Sequence, residues 1–264
     1  MKLSSLLCLF ALWTAIPAWT APVAAAPQDE TPIEDNRPEI KSMIATFKGH
    51  LKKKGEEDEQ AIVIIDRMLQ EFGSSGPKDR AAIVKEIEGS FGIKRTKELS
   101  EGIPDDRVFI AAAAALGQMG PESVKPLSKL IGDKRHRKNE RLQIQLTLSL
   151  GKTRDLEAVD TLVDLRKHKD APMQAAGAEA LGYFNEAPQD VRKEIFEQLL
   201  QTLMDQKYKK DNNTQDQEAL ERWNVISGPI LATLQKLSGH NETDPEQWLF
   251  WWNDNKKNDW GDKG

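Results

Sequence analysis

The sequence predicts an all-α chain, a solenoid of stacked helix pairs closed by a Trp-rich C-terminal capping helix. Three observations carry that expectation. From Arg37 onward the apolar residues recur at helical spacing. Leu-Gly pairs at Leu116-Gly117, Leu150-Gly151 and Leu181-Gly182 recur at intervals of 34 and 31 residues. A second helical segment follows each pair, and Val124, Leu127 and Leu130 of one match Val159, Leu162 and Leu165 of the next. Such a period, with two helices per unit, marks units that bury their apolar stripes only by stacking.

The elements follow in chain order. Within residues 1–25, Lys2 precedes an apolar run over 3–16, Pro17 breaks it, and small residues follow at Ala24, Ala25 and Ala26. This spacing predicts a signal peptide cleaved after Ala25, and so an exported protein, periplasmic or extracellular. The run is too short for a comfortable span of about 20 residues, and no later segment approaches one. The only cysteine, Cys8, lies in this run. The processed chain is therefore expected to have no disulfide, thiol nucleophile or thiolate metal site. Residues 26–36 (APQDETPIEDN) are acidic and Pro-rich without a period, which predicts a flexible linker.

Residues 37–104 read as N-terminal helices with one degenerate repeat. Ile40, Met43, Ile44, Phe47 and Leu51 share one face. Residues 61–72 form a second helix ended by Gly73, and Pro77 opens a third ended by Gly92. Residues 105–206 hold the repeats proper. First helices run through 111–117, 146–151 and 175–182, and second helices over 122–131, 155–168 and 189–204. Small residues in the first helices predict close helix contact. Each Leu-Gly glycine is expected to take a positive φ and stop its helix. In residues 207–264, a long helix over 214–237 is expected to kink at Gly228-Pro229 and close at Gly239. Asp244-Pro245-Glu246 then starts a last helix. Trp248, Trp251 and Trp252 share its face, as a cap sealing the open end requires. No segment alternates with period two, so no strands are expected.

The A-x-A-L-G pattern of residues 113–117 and 178–182 resembles the HEAT-like repeats, in particular their alanine-rich subclass named after phycobilisome lyases. The resemblance covers about residues 105–205. Residues 60–92 look like a degenerate unit, with Phe72-Gly73 in the Leu-Gly place. Pro126 fits the proline bend common in HEAT second helices, and a later unit has Asp160 and Thr161 there instead. The whole chain is similar to exported HEAT-repeat proteins of planctomycete-type bacteria. The resemblance implies an architecture and leaves activity open.

The 37 basic and 42 acidic residues give a net charge of −5, which argues against a general nucleic-acid binder. The one dense basic cluster is Lys134, Arg135, Arg137 and Lys138, with Arg141 nearby. It falls between repeats, where solenoids present binding residues, and suits an acidic partner. Phe250, off the main Trp face, and Trp260, in the tail, are candidate apolar contacts. The four histidines lack metal-ligand spacing and read as surface or cap residues. Asp211, Asn213 and Asp216 lack the pattern of a calcium loop. No nucleophile elbow, phosphate-binding loop or dinucleotide fingerprint is present. The reading is an exported, non-enzymatic scaffold or protein–protein interaction module with an unidentified protein partner. It expects no catalytic residues, cofactor, metal, nucleic acid or membrane span in the mature chain. The alternatives are a lyase-like or chromophore-handling repeat protein and a self-associating envelope subunit.

Overall fold

The computed structural model describes residues 34–94, 98–100, 103–212 and 215–260. The expected signal peptide and residues 26–33 of the expected linker lie outside the described residues. The described residues form eleven α-helices: α1 Pro38–Leu51, α2 Asp58–Phe72, α3 Pro77–Ser90, α4 Arg107–Gln118, α5 Val124–Leu130, α6 Glu140–Lys152, α7 Val159–Asp164, α8 Ala171–Leu181, α9 Gln189–Asn212, α10 Gln217–Ser238 and α11 Pro245–Asn255. Two short strands, β1 Glu98–Ser100 and β2 Ile103–Pro104, pair antiparallel between α3 and α4. They correct the expectation of no strands. Segments of three and two residues are too short to show any alternation in sequence.

The helices form two rows. Helices α2, α4, α6, α8 and α10 pack one on the next, and α3, α5, α7, α9 and α11 return the chain behind them. One core runs from Ile40 to Trp252. The N-terminal helices therefore continue the stack, since α2 and α3 both pack on α4. Polar links reinforce that seam: Arg80 Nε lies 3.3 Å from Glu122, Lys129 Nζ lies 2.8 Å from Glu88, and Arg107 pairs with Glu59.

The second helices of the first two full repeats are not the continuous helices expected over 122–131 and 155–168. Each begins with a 3₁₀ turn, Gly120–Ser123 and Leu156–Ala158, and the second also ends in one, Leu165–Lys167. Pro126 sits in the first turn of α5, where a missing N–H costs little. Helix α10 runs unbroken through Pro229.

The Leu-Gly glycines correct another expectation. Gly117, Gly151 and Gly182 do not take positive φ; they lie in or beside helices, and their task is contact. A Cβ on Gly151 would sit 2.5 Å from the Ala180 carbonyl oxygen, and one on Gly117 2.9 Å from the Ser149 backbone. On Gly182 it would sit 3.1 Å from Thr233 Oγ1. Each glycine thus lets one first-row helix touch the backbone or a side chain of the next. The left-handed residue comes three positions later, at Gly120 (φ 69°) and Arg154 (φ 54°). Gly73 stands in the Leu-Gly place, but a Cβ there would meet nothing within 4 Å.

The end of the expected flexible linker is also corrected. Asp35 Oδ1 accepts from the backbone N–H of Lys78 and Asp79, at 2.9 and 3.3 Å, and so caps α3. Asp79 in turn accepts from the N–H of Asn36 and Arg37, both at 3.0 Å. Composition marked residues 34–36 as unstructured, yet two carboxylates facing orphan helix amides fix them.

At the other end, Trp248 and Trp252 are buried against Phe196, with ring centroids 5.5 and 5.1 Å away. The tryptophan face seals the array. Gly151→Ala is expected to destabilise by about 1–3 kcal/mol, because a backbone must shift to admit the methyl. Gly117→Ala should cost less, and Gly182→Ala least, since only side chains need yield there. Gly89→Ala, in open space inside α3, should instead stabilise by about 1 kcal/mol. Urea unfolding midpoints of the four variants check this order.

Candidate functional site

The basic cluster occupies the loop of residues 132–139, between α5 and α6, and the loop is pinned throughout. Gly132 turns the chain at φ 82°. Gln143 of α6 accepts from Gly132 N–H at 3.0 Å and donates to Leu130 C=O at 3.3 Å. Asn139 caps α6 by accepting from Leu142 N–H at 3.0 Å, and its Nδ2 donates to Asp106 at 3.0 Å.

His136 is the deepest pin, and it corrects the expectation that all four histidines lie on the surface or at caps. It is 8% exposed. Its ring packs edge-on against Phe91 and Phe109, at centroid distances of 6.0 and 5.3 Å. Nε2 lies 2.8 Å from the Phe91 carbonyl oxygen, which can only accept, so Nε2 carries the proton. A histidine inside a run of basic residues gave no sequence sign of burial.

The pinned loop sorts its cations. Arg135 is held by Asp133, with Nη2 2.6 Å from Oδ2 and further bonds from Nε and the backbone N–H. Those hydrogen bonds from Arg135 bring the Asp133 carboxyl down to about 2. Arg141 lies 3.4 Å from Asp106. Arg135 is thus largely committed within its own loop. Lys134, Arg137 and Lys138 are exposed and make no ion pair among the described residues.

Of the apolar candidates, Phe250 is 61% exposed. Trp260 is a correction. It packs on Phe196, Trp251 and Trp252, its Nε1 donates to Asn255 C=O at 3.0 Å, and its N–H donates to Gln189 at 2.6 Å. The tail folds back as part of the cap because the indole finds both an aromatic wall and an acceptor. His240 stacks on Trp251 with ring planes 8° apart. Asp211 lies in α9, ion-paired to Lys207 and Lys210, and Asp216 caps α10; Asn213 lies outside the described residues.

Two clefts open along the repeats, one beside the loop and one a repeat further on. One, of about 850 Å³, is lined by Arg137 and Lys138 together with Gln143, Lys169 and Met173. The other, of about 500 Å³, lies between the Leu165–Lys167 turn, α8, α9 and the start of α10 and is lined by Arg166, Gln174, Thr202, Gln206 and Lys209. His168 lines both. A staple recurs here. Gln174 donates to Arg166 C=O at 2.7 Å, as Gln143 donates to Leu130 C=O one repeat earlier, and it accepts from the Arg222 side chain of α10 at 3.2 Å. Both glutamines stand eight residues ahead of a Leu-Gly glycine, a register readable in the sequence but missed there. Among the described residues, no group of three His, Cys, Asp or Glu could hold a metal ion, and no helix is long and apolar enough to cross a membrane.

The HEAT-repeat family model matches residues 93–182, which run from the end of α3 to the close of α8. Residues 93–182 carry HEAT-like repeats. All three close-contact glycines, Gly117, Gly151 and Gly182, fall within the match. Helices α1–α3 and α9–α11 lie outside the matched stretch and continue the helical stack. A comparison with curated proteins finds no match.

His136→Ala should lower stability by about 1–3 kcal/mol, since it leaves the Phe91 carbonyl buried and unpaired. The Asp133 carboxyl, depressed by Arg135, favours the folded state above its unfolded value near 4, and that contribution is lost as pH falls through about 2. Carboxyl carbon shifts across an acid titration should place the Asp133 midpoint near 2, returning toward 4 in Arg135→Ala.

Proposed function

We propose that this protein is an exported, non-catalytic HEAT-repeat interaction module that docks an acidic protein partner on the loop of residues 132–139. The supporting observation is that the loop is rigid while Lys134, Arg137 and Lys138 stay exposed and outside ion pairs. A rigid loop loses little conformational entropy on docking, and three cations outside ion pairs among the described residues are available to an external partner. HEAT arrays often serve protein association, and the repeat surface gives such a loop a fixed position. The apolar leader of residues 3–16 supports the exported address.

The expected contacts differ from those that charge density alone selects. Lys134, Arg137 and Lys138 carry the interaction, Arg135 braces the loop through Asp133, and Phe250 offers a separate apolar contact. The test is cross-linked capture from the envelope fraction of the source cell, read by mass spectrometry. The wild-type chain should retain a partner that the Lys134→Ala/Arg137→Ala/Lys138→Ala variant loses, while Arg135→Ala weakens capture less. Equal capture by wild type and the triple variant would remove the loop from the account.

A further inference from the structure

The two clefts lie one repeat apart and share His168. We infer that they form one groove for an extended acidic peptide, with one acidic side chain seated in each cleft. This rests on the interaction-module reading and names the partner's chemistry.

Charge is the first ground. Seven basic and five acidic side chains line the two clefts, in a chain whose net charge is −5. The acids are partly engaged: Glu218 pairs with Arg222 at 3.4 Å, and Asp216 caps α10. Lys138, Lys169, Lys167 and Lys209 are exposed and make no ion pair among the described residues. The edge therefore presents a surplus of available positive charge to an incoming anion.

The second ground is unmet hydrogen bonding. Gln206 is 8% exposed and lines the smaller cleft, and among the described residues its Oε1 has no hydrogen-bond partner. Arg166 Nε, on the same cleft, is likewise buried without a hydrogen-bond partner among the described residues. A buried polar group left unpaired costs about 1–3 kcal/mol, so two in one cleft call for an occupant. A bare anion would satisfy the donor and leave the Gln206 acceptor unmet. A peptide brings a backbone N–H for Gln206 and a carboxylate for Arg166 and Lys209.

The third ground is pitch. Packed helices lie about 8–10 Å apart. A polyproline-II chain advances about 3.1 Å per residue with three residues per turn. Acidic side chains three residues apart therefore stand on one face about 9 Å apart and reach successive clefts, whereas adjacent ones point to different sides.

The test is fluorescence anisotropy of the full chain with two fluorescein-labelled short peptides of identical composition. One carries two Glu three residues apart in a Gly/Ser background, and the other carries them side by side. The spaced peptide should bind about tenfold more tightly, and its affinity should fall as salt is raised to about 0.15 M. Gln206→Leu and Lys209→Ala should each reduce its binding several-fold and leave the adjacent-Glu peptide unaffected. Lys209 is exposed, so its variant tests the cleft even where Gln206→Leu disturbs folding. Equal binding of both peptides, no binding of either, or indifference to Lys209→Ala would overturn the groove. If partner capture still depends on Lys134, Arg137 and Lys138 in that event, the loop reading stands without the groove. If capture is also unaffected, both readings fall.

Discussion

The close approach of successive first-row helices is the constraint on which the rest of this protein depends. At Gly117 and Gly151 the absent side chain lets α4 meet α6 and α6 meet α8 against the backbone itself. A methyl group at either point would push neighbouring helices apart. That separation would shift the loops that connect one repeat to the next, since each loop hangs from a second-row helix and is stapled to the following first-row helix. The staples from Gln143 and Gln174 span hydrogen bonds of 2.7–3.3 Å, so they tolerate little change in spacing. Helix contact in one row thus sets loop position on the edge, and loop position sets where the cations stand.

The electrostatic surface follows from the same rigidity. A mobile loop of four lysines and arginines would let Arg135 and its neighbours exchange partners. Here the buried His136 and the α6 cap hold the loop in one shape, in which Asp133 takes Arg135 and leaves its neighbours out of reach. The aromatic cap contributes at the far end. Phe196, Trp248, Trp251, Trp252 and Trp260 form several ring pairs, each worth about 0.5–1.5 kcal/mol beyond area burial. Without that seal the apolar face of α9 and α10 would open to water, and the smaller cleft, which both helices line, would lose its frame.

Much of this was legible in the sequence, because periodicity reports burial directly. The helix order, the Leu-Gly repeat and the Trp cap all follow from spacing. What was not legible depends on partners distant in the chain. A Leu-Gly pair reads equally as a helix stop or as a contact point, and only the facing Ser149 and Ala180 decide. His136 sits among basic residues, and its burial depends on Phe91 and Phe109. Trp260 lies in a polar tail, and its partial burial depends on a wall built by Phe196. Residues 34–36 look unstructured by composition, and their order depends on the amides of α3. For the candidate site, the basic loop was visible as charge density. Which cations stay exposed outside ion pairs, and the glutamines that position the edge, emerged only from the packing.

The central claim is that the first-row contacts make the HEAT array and its flanking helices one cooperative body. Native-state hydrogen exchange across α2, α4, α6, α8 and α10 tests it most directly. If the contacts couple the row, the slowest amides of all five helices exchange with a common free energy and a common denaturant dependence. If α2 or α10 opens at distinctly lower free energy than α6, the row is a chain of separable units, and the loop edge is not held by it.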